Sequence, residues 1–327
     1  MKQFLLGILF VAMAATAHAA SDRPEQITVA YFSGWPTPNL FSQLKNTYDA
    51  ALGTRVNWVS YKSGYEMNEA MQSGEVQIAY SQSHVPFLLG VTAGLDLHMI
   101  GIAVAYSGND NCLVRNDAGI SRANVTALEG GKIATLVGSV SHYRLLKMLA
   151  HLKVDSSKLE IVAVDNATAA ADALRKGEVV MACAFGTALR SMEQIGSPLM
   201  STAEQEAIGL RLFDVVTVTT DFMRQYPETV QTFMDVTEAS NNQWKLKPDP
   251  MRAGIAQVAG MEQDAADDTL TGFSFPSMKQ QKSDEWMGKA VIDYSKSIAD
   301  FFVAHGRLKK SLPLSDYKEH ITTRFLR

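Results

Sequence analysis

Short apolar runs alternate with stretches of helical periodicity through the first two thirds of the chain. Residues 27–31, 56–61, 76–80 and 99–106 are rich in β-branched and aromatic side chains and read as strands; 40–52, 66–73 and 85–93 repeat apolar residues three and four apart and read as helices. The alternation resumes with strands at 112–115, 133–137, 159–164, 179–182 and 213–219. From 221 onward the pattern is helical, over 221–226, 228–244, 250–259 and 289–305. Helices between short strands predict α/β architecture with mostly parallel sheets covered on both faces. The helical tail has no sheet of its own and is expected to pack back on the first half.

The two halves echo each other. "AMQSGEVQIA" (70–79) and "ALRKGEVVMA" (173–182) share Ala, Gly, Glu, Val and Ala in register, and upstream "ITVAYFSG" and "IATLVG" both break at a glycine, Gly34 and Gly138. Two matches at nearly one offset predict two similarly built lobes. The lobe boundaries expected are 20–108 with 214–327 for the first and 109–213 for the second. Extended crossings, "AYSGNDNCLV" (105–114) and "LFDVVTV" (212–218), would join them around a cleft that closes on a hinge.

The N-terminus changes the compartment. Lys2, an apolar stretch from Phe4 to Ala15, and Ala17-His18-Ala19 have the pattern of a signal peptide over 1–19; a buried N-terminal helix is the alternative. The stretch is short of the ~20 apolar residues of a membrane span, and no Cys follows the cleavage site, so a soluble, exported chain is expected. Beyond residue 19 it carries 29 basic and 34 acidic residues, a net charge of −5. Mild acidity without a basic patch argues against nucleic acid or a membrane surface as partner. Cys112 and Cys183, both in strand-like runs, are a candidate disulfide in an oxidising compartment, or else two buried thiols.

Open α/β sheets bind ligands at the carboxyl ends of their strands. Those ends carry Trp35, Ser63, Ser81, Gln82, Gly138, Ser139, Ser141, His142 and Phe185, and the crossings add Asn109, Asp110 and Asp214. "GSVSHYRLL" poses the main question. Ser139 or Ser141 with His142 could be a hydrolase pair, but no G-x-S-x-G elbow surrounds them and the histidine shares their turn. "LEGGKIA" has Val125 where a phosphate-binding loop requires glycine, and the histidines at 84, 98, 142, 151, 305 and 320 lack zinc-site spacing, so neither cofactor nor metal is expected. A helix N-terminus with two hydroxyls suits an anion, though one serine as a simple helix cap is the plainer reading. Asp214, in the apolar run "LFDVV", needs a partner if buried: a ligand ammonium, a lysine or a backbone cap. Trp35 could cover that cation or merely pack. An anionic head and a cationic tail describe a small zwitterion.

At these residues the chain resembles the taurine and alkanesulfonate branch of periplasmic substrate-binding proteins of ABC importers. The likeness lies in "VAY" (29–31), "SGEVQIA", "GSVSHYRLL", "LFDVVTVTTDFMRQYPETVQTF" (212–233) and "DYKEHITTRFLR" (316–327). It implies the type II two-lobed periplasmic binding protein fold, a non-enzyme, a periplasmic location, a monomer, and an ABC permease of the inner membrane as partner. It also implies a small sulfonate ligand, taurine foremost, with Ser139, Ser141 and the following amides on the anion. Asp214, with Asp110 as a second carboxylate, would hold the ammonium under Trp35 or Phe185. A sulfinate, aminophosphonate or amino acid would fit the same pattern, and a sensor could use the same lobes. The chain departs from taurine binders at Cys183-Ala184-Phe185-Gly186-Thr187, where they tend to show Tyr-x-Trp-x-Pro, so one aromatic wall differs. The thiamine pyrimidine-precursor synthases share this fold, but their Cys-rich iron motif is absent here.

Overall fold

In the computed structural model, which describes residues 23–106 and 108–327, the alternating segments form two sheets. The expected signal peptide, 1–19, lies outside the described residues. The first half runs β1 (Gln26–Phe32), α1 (Asn39–Leu44), α2 (Thr47–Leu52), β2 (Arg55–Tyr61), α3 (Gly64–Gln72), β3 (Ile78–Ser83), α4 (His84–Thr92) and β4 (Leu97–Tyr106). The single helix expected over 40–52 is broken at Asn46, whose left-handed φ of 52° is one that Asn tolerates better than most residues. The middle of the chain runs β5 (Asp110–Arg115), β6 (Lys132–Thr135), α5 (Val140–His151), β7 (Glu160–Ala163), α6 (Ala167–Lys176), β8 (Met181–Phe185), α7 (Gly186–Met192), β9 (Gly196–Pro198) and α8 (Thr202–Ala207). The chain then returns through β10 (Leu212–Thr219) into the helical tail, which contains one two-residue strand, β11 (Phe273–Ser274).

The larger sheet has the order β11-β4-β10-β3-β1-β2 and the smaller β7-β6-β8-β5-β9. The sequence echo becomes a structural one. Val29 of β1 pairs with Ile78 of β3, and Ile133 of β6 pairs with Met181 of β8, both in parallel. Each sheet then gains an antiparallel strand at the corresponding edge: β10 beside β3, and β5 beside β8. The sheets are therefore mixed rather than mostly parallel. Only strands joined by helical crossovers must run parallel, whereas β5 and β10 each arrive from the other sheet.

The tail packs on the first half as expected and also adds β11 to the free edge of β4. Its helix Pro227–Leu246 brings the Phe233 ring to 4.8 Å from that of Tyr48, both buried. A second, smaller apolar cluster, including Leu113, Ala170, Leu174 and Met192, sits beneath α6 and α7. Cys112 and Cys183 are directly opposed on β5 and β8 and are bonded, with Sγ–Sγ 2.02 Å. Among the described residues no helix is long and apolar enough to cross a membrane.

Candidate functional site

Between the two sheets lies a narrow cleft. Phe32, Trp35, Ser83, Tyr106 and Asp214 line it from the larger sheet; Asp110, Ser139, Val140, Ser141 and Phe185 line it from the smaller. Its volume is ≈ 20 Å³, about that of a single water site. A wider groove of ≈ 600 Å³ runs past Arg144, Arg211 and Trp286, but apart from Arg144 its charged groups stand at the surface. Of the two, the narrow cleft gathers buried carboxylates, a helix start and aromatic walls.

Asp214 sits near the start of β10, 2% exposed. Its Oδ2 accepts from the Ser81 hydroxyl at 3.0 Å and its Oδ1 from the Tyr106 hydroxyl at 3.1 Å. Neither donor carries a formal charge, and among the described residues no cation pairs with the carboxylate. Burial therefore pushes its pKa up to about 7, against the lowering effect of Ser81, Tyr106, Ser83 and Trp35. The Trp35 indole N–H approaches closely enough to favour the charged form but lies outside hydrogen-bond geometry, which leaves Nε1 buried and unpartnered. Ser81 reaches Asp214 because it occupies a bulge. Val215 pairs with Gln82 and Val216 with Tyr80, and the skipped Ser81 has φ 61°. Trp35, Phe32 and Phe185 meet edge-on, with centroids 5.7 to 6.4 Å apart, and form the aromatic wall.

The opposite wall is the first turn of α5. Ser139 is its N-cap: its Oγ accepts from the His142 N–H at 3.3 Å and donates to Leu136 O at 2.7 Å. The Ser141 hydroxyl donates to Asp110 Oδ2 at 2.6 Å. Both hydroxyls expected to hold an anion are thus committed within the protein. What the turn offers is the pair of backbone amides at Val140 and Ser141, which open the helix and have no intrahelical acceptor, together with the positive end of the helix dipole.

Asp110, expected as a second contact for an ammonium, is instead paired with Arg144, Oδ1 to Nε 3.2 Å, and both are buried. Arg144 also donates to Gln205 Oε1 at 2.5 Å. Burial raises the Asp110 pKa and lowers that of Arg144, and each partner's charge opposes the other's shift. The serine–histidine pair is not assembled. His142 Nδ1 accepts from the Gly138 N–H at 2.9 Å, and the ring lines a different cavity beside Tyr65 and Phe302. Burial drives its pKa down to about 4, helped by Arg307.

Four other expected site residues stand outside the cleft lining. Ser63 caps α3, accepting from the Glu66 N–H. Gln82 is spent on Gly64, Asn68 and Thr217. Asn109 ties the first crossing to the tail, donating to Thr269 O at 2.8 Å while its carbonyl accepts from the Gly186 N–H. Gly138 supports the helix start through a φ of 80°. Ser83 and Val140, which stand in the same strand-end stretches as Ser81 and Ser139, also line the cleft, and so do Phe32 and Tyr106, which were not singled out. Tyr106 ends strand β4, so the strand-end rule applied throughout would have found it.

A family model described as NMT1/THI5 like matches residues 45–250. The chain belongs to the NMT1/THI5-like family. Over 98% of its length and 97% of the relative's, this member is 26% identical to the taurine-binding periplasmic protein of Escherichia coli (strain K12). Among solved structures it is similar to the alkanesulfonate-binding protein SsuA from Xanthomonas axonopodis pv. citri, bound to MOPS (TM-score 0.73, 19% identity), covering 92% of this chain and 99% of that one. It is also similar to the desulfurization enzyme DszB (TM-score 0.65, 17% identity), covering 93% and 98%. The family member has the two-lobed periplasmic binding protein fold. That fold hosts enzymes as well; here the near full-length relative is named a binding protein, and the Ser139 and Ser141 hydroxyls donate to Leu136 O and Asp110 while the His142 ring accepts from the Gly138 N–H.

Proposed function

We propose that the chain is a periplasmic receptor that captures a small zwitterionic sulfonate, taurine foremost, and delivers it to an ABC permease. The observation that carries this reading is the charge layout across the cleft. A buried carboxylate without a cation, Asp214, faces the amide-rich start of α5. A molecule with an ammonium at one end and a sulfonate at the other complements both. Asp214 and Trp35 take the cation, and the Val140 and Ser141 amides take the anion; the names of the relatives agree with the sulfonate end.

In this reading the lobes comprise 20–108 with 214–327 and 109–213. Each ligand contact made from both lobes favours the closed state, so binding shifts the population toward it. Calorimetric titration with taurine, hypotaurine, 2-aminoethylphosphonate and unsubstituted alkanesulfonates tests the assignment. Taurine is expected to bind far more tightly than ethanesulfonate; equal affinities would remove the ammonium role of Asp214.

A further inference from the structure

At the end of β4 remote from the cleft, three residues from two distant parts of the chain converge. Asp96 and His98 enter β4, and His320 follows the helix Leu314–Glu319 near the C-terminus. One ligand-type atom from each lies within 4.8 Å of the others, and the two imidazole centroids are 5.4 Å apart. Backbone pairing holds them there: Met99 N donates to His320 O at 2.8 Å, Thr322 N donates to Met99 O at 3.0 Å, and Ile321 bridges Met99.

From these contacts we propose a transition-metal site, best suited to Zn²⁺, with Asp96, His98 and His320 as its protein ligands and water completing a tetrahedron. Two imidazoles and one carboxylate form a common borderline donor set for this ion. The outer contacts that such ligands require are also present. Nδ1 of His320 lies 2.7 Å from Leu97 O and must donate to it, which leaves Nε2 to face a metal. Asp96 is oriented by the Thr220 hydroxyl. Nδ1 of His98 is buried with no hydrogen-bond partner, a cost that a coordinated ion would remove. No sequence spacing announces this site, because His320 lies more than 200 residues from Asp96 and His98 and meets them only through the tail's pairing with β4.

The occupied site would clip the C-terminal segment to the strand that leads, ten residues later, to Tyr106 in the cleft. Its role would be to hold the larger lobe together rather than to touch the ligand. The test uses the chain without a histidine tag, stripped with chelator and titrated with Zn²⁺ in a calorimeter, with Co²⁺ as the spectroscopic probe. One equivalent should bind, Co²⁺ should give the intense visible bands of tetrahedral coordination, and the melting temperature should rise with added Zn²⁺. His98→Gln and His320→Gln should each weaken binding about tenfold or more and abolish the bands, while taurine affinity stays as in the unsubstituted chain. Zn²⁺ uptake that both variants retain, or no uptake by a folded wild-type chain, would overturn the proposal.

Discussion

The Ser81 hydroxyl reaches Asp214 Oδ2 at 3.0 Å from a left-handed bulge between β3 and β10. A non-glycine residue holds such a conformation only where its surroundings over-determine it, at a cost of about 1–3 kcal/mol. Here the bulge aims a donor at a carboxylate that has no cation partner among the described residues. Ser81→Gly should keep the backbone but lose the donor, raising the Asp214 pKa further and weakening zwitterion binding, whereas Ser81→Ala should do the same and also lower the melting temperature. Titration calorimetry and thermal melts on both variants separate the two effects.

Affinity should depend on pH through Asp214, whose pKa stands at about 7. An ammonium pairs with the ionised form, so taurine affinity should be flat above that value and fall toward tenfold per unit well below it. Binding of an unsubstituted alkanesulfonate should lack this fall. Titrations between about pH 5 and pH 8 distinguish the two ligand types.

The same carboxylate should make the protein less stable at alkaline pH. Its folded pKa lies above the ordinary 3.8, so the folded state binds the proton more tightly than the unfolded one. The stabilisation from that proton is complete below the ordinary value and is lost as pH rises through about 7. Asp214→Asn should therefore melt a few degrees above wild type at pH 8, with the advantage shrinking near pH 4, even though the variant no longer binds taurine.

Arg144 and Asp110 form a buried pair next to the first turn of α5. Arg144→Met leaves the carboxylate unpaired and should cost about 3–5 kcal/mol, most of it recovered in the double variant Arg144→Met with Asp110→Asn. Denaturant unfolding of the single and double variants measures the coupling.

The Cys112–Cys183 bond closes a stretch with a sequence separation of 71. By the loop-entropy model its removal should cost about 4 kcal/mol. Cys112→Ser with Cys183→Ser should melt well below wild type, and mass spectrometry of the unreduced protein should find no free thiol.

Periodicity and the internal echo carried most of the fold: 76–80 and 179–182 led to β3 and β8, which pair in parallel with β1 and β6, so the two halves are built alike as the offset implied. Direction was not legible, because an apolar run such as 213–219 has the same composition in a parallel and an antiparallel ladder. At the site, Asp214 stood out because a carboxylate in an apolar strand must find a partner. The serines of "GSVSHYRLL" were harder to judge, since a hydroxyl that caps a helix and one that meets a ligand occupy the same position in sequence. Only Leu136 O and Asp110, brought close by the fold, reveal how those hydroxyls are spent. Tyr106 went unnoticed because at the end of a strand an aromatic residue looks like ordinary core.

The strand that returns the chain from the smaller sheet to the larger is also the strand that carries Asp214, two residues after its start. In the proposed receptor, ligand contact and hinge therefore share one segment of backbone. A receptor built this way cannot retune its grip on the cation without also altering the ease with which it shuts, so changes in ligand preference along this lineage should appear first in Phe185, Trp35 and the α5 turn, where the walls can vary while the axle is left alone.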